Sequence, residues 1–260
     1  MKPISRLLSI MARLRDPKRG CPWDLAQNFE TISPHTIEEA YEVDDAIHRK
    51  NYKDLKEELG DLLFQVVFHS QMAAEKSYFD FQDVATEICD KMIRRHPHVF
   101  ADPKPIKENG HNETWESIKS EERRLKPNLT EDEPSILDGI ATSLPALTRS
   151  SKLQKRASLL GFDWPNIPPV LGKVSEELNE VHEVLSGELN IDRLTEEIGD
   201  LLFSCSNLAR HCEVDPEKAL RKANQKFERR FKRLERLRKG RIDAGTGASL
   251  EELENLWEQV

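Results

Sequence analysis

The sequence EELGDLLF at residues 57–64 returns as EEIGDLLF at residues 196–203, and seven of the eight positions are identical. Each copy follows another acidic cluster at nearly the same separation, EEAYE at residues 38–42 and EELNE at residues 176–180. Two motifs that recur in the same order and at similar spacing indicate that the chain is a tandem repeat of one unit.

The first copy of this signature lies on a predicted amphipathic helix. Its apolar residues recur at spacings of three and four: Leu55, Leu59, Leu62 and Val66. Glu58 and Asp61 then share a flank beside the apolar stripe. The preceding helix is predicted to begin at Ser33-Pro34, an N-cap residue followed by proline at the first helical position, and it carries Glu39 and Glu42 about one turn apart. Because only a short turn near Asn51 separates these helices, they are predicted to be antiparallel neighbours whose four carboxylates form a cluster.

A glycine occupies the middle of each signature helix, at Gly60 and Gly199. Glycine inside a helix costs about 1 kcal/mol relative to alanine, so its recurrence needs a cause. The pattern favours the close approach of another helix or of a ligand beside the acidic residues.

The composition favours an all-α protein. Apolar residues make up 37% of the chain and charged residues 33%, and no segment shows the alternation of a β-strand. The repeat divides the 260 residues into two helical-bundle domains, predicted at 1–125 and 126–260. A proline-rich linker region at 101–135, with a short helix around Trp115, is predicted between them.

Charge and cysteine content limit the possible partners and compartments. A formal net charge of −8 argues against general nucleic-acid binding. The four cysteines form no CxxC pair, which is typical of a reduced, cytoplasmic chain. No apolar run is long enough to cross a bilayer and no export signal is evident, so we expect no membrane association.

A loop that contains glycine and tryptophan precedes the acidic helix in both halves. It reads GCPWD at residues 20–24 and GFDWP at residues 161–165. Two interpretations of Trp23 stay open at this point: an anchor that packs the loop on the bundle, or a wall of a base or sugar pocket.

The helix predicted at about residues 216–239 is strongly basic in an acidic protein. Most of its charges are expected to form a solvated face. Three of its positive residues align with basic residues of the first half and are predicted to serve a common site: Lys226 with Lys91, Arg229 with Arg94, and Arg230 with Arg95.

Crowded carboxylates repel one another, so the two acidic clusters predict a bound cation. Ligands that are all oxygen favour a hard ion, Mg²⁺ or Mn²⁺, over zinc. A di-iron carboxylate site is the rival, but it would need histidines at positions 61 and 200, which are aspartates in this sequence. The di-iron site is therefore disfavoured. The chain has no GxxxxGK[ST] loop and no GxSxG motif, so metal-activated water is the favoured nucleophile.

The order of these motifs resembles the two-domain MazG nucleoside triphosphate pyrophosphohydrolases over essentially the whole chain. The resemblance rests on EExxE followed by EExGDLLF, with GCPWD upstream and KFERR at residues 226–230 downstream. It implies the all-α NTP pyrophosphatase fold, a homodimer, Mg²⁺ dependence, and hydrolysis of NTP or dNTP to the monophosphate and pyrophosphate.

The resemblance also assigns roles to individual residues of the second half. It implies four metal ligands: Glu177, Glu180, Glu197 and Asp200. The implied nucleotide contacts are Lys173, Glu176, Arg193, Glu196, Lys226, Arg229, Arg230 and Trp257, and Glu176 is the candidate for orienting the attacking water. Glu39, Glu42, Glu58 and Asp61 match the ligand pattern in the first half, where a second, weaker site is expected.

The predicted reaction is attack of metal-activated water on the α-phosphorus, with pyrophosphate as the leaving group. Two alternatives stay open on sequence alone. One is a non-catalytic helical regulator that binds a nucleotide or a partner protein, and the other is hydrolysis of a nucleotide conjugate by the same carboxylates.

Overall fold

The computed structural model describes residues 2–100, 122, 135–239 and 249–260, and every regular element there is a helix. The prediction of an all-α protein is confirmed. In chain order the helices are α1 (Pro3–Leu14), α2 (Pro22–Ala26), α3 (Phe29–His48), α4 (Tyr52–Glu75), α5 (Phe81–Arg95), α6 (Pro97–Phe100), α7 (Ala146–Ser158), α8 (Ile167–Ser186), α9 (Ile191–His211), α10 (Pro216–Lys239) and α11 (Leu250–Trp257). The predicted helix around Trp115 and most of the predicted linker lie outside the described residues.

The chain divides into two compact units, Met1–Leu125 and Lys126–Val260. In the first unit α3 and α4 form a helical hairpin, and α1 packs against α4. In the second unit α8 and α9 form the corresponding hairpin, and α7 packs against α9. α10 contacts α7, α9 and α11. Each unit therefore places its two acidic motifs on the neighbouring helices of one hairpin.

The core of the first unit does not lie on the predicted apolar stripe. Its buried side chains are Met11, Ile32, Val67, Phe68 and Met72, from α1, α3 and α4. In the predicted stripe, Leu59 stays 50% exposed, and in the second unit its counterpart Ile198 stays 43% exposed. The periodicity identified the helix correctly, but part of its apolar stripe lies outside the core of the unit.

Several helix boundaries differ from the sequence prediction. α3 begins after Asn28 rather than at Ser33-Pro34, because Asn28 and Thr31 form a reciprocal capping box and Pro34 lies inside the helix. α7 begins only at Ala146, after Pro145. The unpredicted α11 begins after a capping box between Ser249 and Glu252, a Ser-x-x-Glu signal that is visible in the sequence.

No helix in the described part of the chain is both long enough and apolar enough to span a bilayer.

Candidate metal and nucleotide site

The second hairpin brings the predicted carboxylates together. α8 carries Glu177 and Glu180 one turn apart, and α9 carries Glu197 and Asp200 at the same spacing. The turn between the helices is short, and the Asn190 side chain caps α9 by accepting a hydrogen bond from the Arg193 amide at 3.0 Å. Glu177, Glu197 and Asp200 each place a carboxylate oxygen within 4.8 Å of the others.

Glu180 lies at the edge of this cluster. Its pKa is raised, first by desolvation and then by the negative charges of Glu177 and Glu197. The negative charges of these two neighbours outweigh the opposing effect of Lys173 on the pKa of Glu180, which lies outside the closest grouping of oxygens.

Glu177 is the most deeply placed of the four, with 4% of its surface exposed. Its Oε1 forms an ion pair with Lys173 Nζ at 2.7 Å, and the same ammonium lies 2.9 Å from Glu176 Oε1. These hydrogen bonds, the one to Glu177 first, raise the pKa of Lys173. Lys173 is thus the counter-charge of the buried Glu177, and Arg193 is a second cation that pairs with Glu197 of the same cluster.

The other oxygen of Glu177, Oε2, is buried and has no hydrogen-bond partner among the described residues. A buried charged oxygen without a partner is costly, so its environment suits a further positive group. Three convergent carboxylates and no sulfur or imidazole ligand match the oxygen preference of Mg²⁺ or Mn²⁺. The residues present therefore fit a hard divalent cation.

The first unit carries a related but different cluster. Here Glu39, Glu42 and Glu58 bring their oxygens within 4.8 Å. The pKa values of Glu39 and Glu58 are raised, by desolvation first and then by charges that include Asp61. Glu39 also has a side-chain hydrogen bond with the buried Gln65, which lowers its pKa. The carboxylate outside the closest grouping is thus the last glutamate of EExxE, Glu180, in the second unit and the signature aspartate, Asp61, in the first.

The position that corresponds to Lys173 in the first unit is His35, which contacts Glu38 at 3.4 Å. The first unit thus has an imidazole where the second has an ammonium. Within the described residues, the first cluster therefore lacks the ammonium that balances the second.

Gly60 and Gly199, the glycines of the two signature helices, do not touch another helix among the described residues. A methyl group added at Gly60 or Gly199 would meet nothing within 4 Å. The expectation of a close helix is therefore wrong for the described residues, and the open space beside Glu197 and Asp200 is left for a ligand or a second chain.

A cavity of about 260 Å³ opens beside the second cluster. Glu177, Asp200 and Lys173 line its acidic end. The rest of its wall comes from Gln154, Trp164, Val170, Phe203, Ser204 and Asn207. The sequence pattern predicts the tryptophan loop but gives Trp164 no role, and no motif marks Gln154 or Asn207. The recurrence of the loop ahead of both acidic helices was the available signal for Trp164.

The basic residues that α10 was predicted to contribute to the nucleotide site do not line this cavity. Lys226 and Arg229 are exposed on α10. Arg230 donates to the backbone oxygens of Trp257 and Val260, and its guanidinium carbon lies 4.1 Å from the centroid of the Trp257 ring. None of these residues lines the cavity beside Glu177.

Three further predicted nucleotide contacts lie on α8 and α9. Arg193 lies in the first turn of α9 and approaches Glu197 Oε1 with its Nε at 3.4 Å. Glu176 is exposed and contacts Lys173. Glu196 is also exposed, on α9 beside Glu197.

Fold and site together define an all-α protein with two helical hairpins, each carrying a carboxylate cluster suited to a divalent cation. A family model described as the MazG nucleotide pyrophosphohydrolase domain matches residues 27–100, which contain the first hairpin, and residues 170–234, which contain the second except for the first residues of α8. The chain belongs to the MazG family.

Relatives match over the full length. The chain is 52% identical to the nucleoside triphosphate pyrophosphohydrolase of Escherichia coli over 100% of its length and 97% of that protein. It is 43% identical to the nucleoside triphosphate pyrophosphohydrolase/pyrophosphatase MazG of Thermotoga maritima over 98% of its length and 94% of that protein. The crystal structure of a mazG-related protein from Thermotoga maritima aligns with 45% of this chain and 98% of its own, at 26% identity and a TM-score of 0.38.

Proposed function

We propose that the chain hydrolyses nucleoside and deoxynucleoside triphosphates to the monophosphate and pyrophosphate, with Mg²⁺ as its cofactor and Mn²⁺ as a substitute. Membership of the MazG family and the names of the full-length relatives support this reaction. The main structural support is Oε2 of Glu177, which is buried and has no hydrogen-bond partner among the described residues. Glu177 lies next to Glu197 and Asp200 and lines a cavity.

The residues of this site are assigned different roles in the reaction. Glu177, Glu197 and Asp200, with Glu180 at the edge, would hold the cation. When bound, the cation supplies charge neutralisation for the triphosphate and a lowered pKa for a water molecule. Glu176 is exposed beside Lys173, and we assign it to orient the attacking water. The α-phosphorus is the electrophile, and pyrophosphate leaves.

Lys173 is the side chain that has to change partners during binding. Its ammonium pairs with Glu177 and Glu176. Lys173 would be free to bind a phosphate oxygen if a bound cation were to balance the charge of Glu177. Lys226 and Arg229, exposed on α10, are proposed to offset charge on the departing pyrophosphate.

We further propose a homodimer in the cytoplasm. Leu59 and Ile198 occupy the same position of the two signature helices, and both stay about half exposed. A second copy of the chain that covers these helices would bury such positions. The formal charge of −8 continues to argue against a nucleic-acid partner.

Pyrophosphate release from dATP, measured with purified protein and Mg²⁺, tests the proposed reaction. We expect stoichiometric dAMP and pyrophosphate, with Glu197→Gln as the inactive matched variant. Tight nucleotide binding without pyrophosphate release would instead support the non-catalytic regulator. A panel of NTPs, dNTPs, deaminated or oxidised analogues and nucleotide conjugates then identifies the preferred substrate.

A further inference from the structure

Two adjacent arginines at the end of α5 hold the same carboxylate. Arg94 Nε lies 3.0 Å from Oε1 of Glu122. Arg95 reaches Oε2 of the same side chain with its Nε at 3.0 Å and its Nη2 at 2.5 Å. Each oxygen of the carboxylate is therefore bound by a different guanidinium. Glu122 comes from the predicted linker region, far from α5 in sequence, so the contact is a tertiary one.

This contact is shielded on one side and reachable from solvent on the other. The side chains of Glu122 and Arg95 are 16% and 19% exposed, whereas that of Arg94 is 52% exposed. The hydrogen bonds, the one from Arg95 first, lower the pKa of Glu122 to about 2, so this carboxylate is ionised at neutral pH.

The charges of this group do not balance. Two guanidiniums face one carboxylate, which leaves a surplus of positive charge. Lys91 lies one turn earlier on the same helix, at spacings of three and four residues from the two arginines. The end of α5 therefore offers more cationic charge than Glu122 neutralises.

The corresponding arginines of the second unit have different partners. Arg94 and Arg95 align with Arg229 and Arg230 of α10. Arg230 donates to backbone oxygens near the end of the chain, and no acidic side chain among the described residues pairs with Arg229. Within the described parts of the chain, a carboxylate held by both arginines is thus found in the first unit and not in the second.

A carboxylate and a phosphate group present similar pairs of acceptor oxygens to arginine, and the phosphate group carries more charge. We propose that Arg94 and Arg95, together with Lys91, form a phosphate-binding site of the first unit, and that Glu122 occupies this site as an internal substitute for the anion. The ligand class is inorganic phosphate anions and the phosphate groups of larger molecules. The site is separate from the carboxylate cluster of the second unit, and the inference does not depend on hydrolysis there.

The contact acts as an autoinhibitory one. An anion that approaches α5 has to displace Glu122, so its apparent affinity is lowered in proportion to the fraction of molecules in which the contact is open. The first unit also has His35 in the place of Lys173. Both features disfavour the binding of phosphate anions at the first unit.

Calorimetric titration of the full-length protein with inorganic pyrophosphate in EDTA tests the proposal. Glu122→Gln removes the competing charge and keeps the size of the side chain, so it should tighten pyrophosphate binding at least tenfold. Adding Arg95→Met to this variant should abolish the gain. Any binding of pyrophosphate to the second unit is common to these proteins, so the comparison isolates the first unit.

Glu75→Gln is the matched control. Glu75 also pairs with an arginine of the first unit, since Arg15 Nη2 lies 2.7 Å from its Oε2. The Arg15 side chain is only 8% exposed and also donates to the backbone oxygen of Asp24. This variant makes the same change in net charge but should leave pyrophosphate binding within about twofold of the parent protein.

Glu122→Asp keeps the test decisive if Glu122→Gln does not fold. It retains the charge but shortens the side chain by one methylene group, so it should weaken the contact and give a smaller gain in pyrophosphate affinity. Unchanged affinity in the folded Glu122 variants would overturn the proposal and leave Glu122 as an anchor for its own segment. An equal gain in Glu75→Gln, or a gain that persists with Arg95→Met, would also overturn it.

Discussion

Arg210 forms a two-pronged ion pair with Asp163, with its Nη1 2.9 Å from Oδ2 and its Nη2 2.5 Å from Oδ1. Nε2 of His211 lies 2.9 Å from the same Oδ1. Arg210 and His211 end α9, and Asp163 immediately precedes Trp164 in the loop before α8. The ion pair therefore ties the end of the signature helix to the loop that carries the cavity's tryptophan.

The first unit also has an ion pair at the end of its signature helix, but there the helix contributes the carboxylate and not the arginine. There Arg15, at the end of α1, binds Glu75, the last residue of α4, with its Nη2 2.7 Å from Oε2. Arg15 also donates to the backbone oxygens of Asp24 and Gln27, just after Trp23, where the predicted loop instead forms the short helix α2. Both units thus connect the end of the signature helix to the segment around the tryptophan, but the arginine comes from α9 in the second unit and from the end of α1 in the first.

The first prediction concerns this link in the second unit. The hydrogen bonds from Arg210 hold the pKa of Asp163 below its usual value. Asp163→Asn should lower the free energy of unfolding at pH 7 by about 1–3 kcal/mol, because a part-buried guanidinium loses its charged partner. A carboxylate with a depressed pKa stabilises the fold above its ordinary pKa of about 3.9, and this contribution is lost as pH falls through the folded value.

Urea unfolding of the parent protein and of Asp163→Asn at pH 7 and at pH 3 measures the effect. The difference between the two proteins should be larger at pH 7. Glu75→Gln should show the same pattern, since Arg15 lowers the pKa of Glu75 in the same way. An equal difference at both pH values would show that the ionised carboxylate is not the stabilising group.

The sequence predicted the hairpins because the repeat supplied two independent copies of the same pattern. Helical spacing then placed Glu177 and Glu180 on one face, and Glu197 and Asp200 on the next helix. Gln154 could not be found in this way, since it comes from α7, far from the acidic motifs in sequence. Its place in the cavity wall, with a hydrogen bond to the Phe203 backbone oxygen, is visible only in the packed structure.

Apolar periodicity was also an incomplete guide to burial. It identifies the stripe that contains Leu59 but cannot say whether that stripe faces its own unit or another chain. The capping of α3 by Asn28 was missed for a related reason, because the nearby Ser33-Pro34 is an equally good local start signal.

The second prediction concerns Lys173 as a replaceable counter-charge. Lys173→Met should lower the free energy of unfolding in EDTA by about 1–3 kcal/mol, because Glu177 is buried beside other carboxylates. Saturating Mg²⁺ should shrink this difference, because the cation would then neutralise Glu177.

Lys232→Met is the matched control for that experiment. Lys232 pairs with Glu228 at the same i,i+4 spacing, but both side chains are 61% exposed. Its loss should cost no more than about 0.5 kcal/mol, with or without Mg²⁺. If Lys173→Met is equally destabilised in EDTA and in Mg²⁺, the cation does not replace the lysine.

The third prediction concerns metal identity. Pyrophosphate release should require Mg²⁺ or Mn²⁺, stop with EDTA and persist with a zinc-selective chelator, because Glu177, Glu197 and Asp200 offer only oxygen ligands. Assays in metal-depleted buffer with single metals added back provide the measurement. Inactivation by the zinc-selective chelator alone would rule out this assignment.

The fourth prediction concerns assembly. The exposed Leu59 and Ile198 should be buried between copies of the chain, so sedimentation at micromolar concentration should give a particle of twice 30.0 kDa. Replacing Ile198 by aspartate should shift the protein towards the monomer, because a buried charge disfavours the contact. A particle of 30.0 kDa in the unaltered protein would contradict the dimer.

The last prediction is that the two carboxylate clusters are unequal and that the second one performs the reaction. Both units bring three carboxylates together, so the difference has to come from their surroundings. The second cluster has Lys173 as a cationic partner and a cavity lined by Trp164, whereas the first has His35 in the place of the lysine.

Glu197→Ala should therefore nearly abolish turnover, and Glu58→Ala should leave most of it. The two positions correspond in the repeat, so each substitution is the control for the other. Any loss in Glu58→Ala should arise through stability, which is why kcat should be compared at equal folded fraction by circular dichroism. Equal losses would mean that both clusters are catalytic, and a larger loss for Glu58→Ala would transfer the reaction to the first unit.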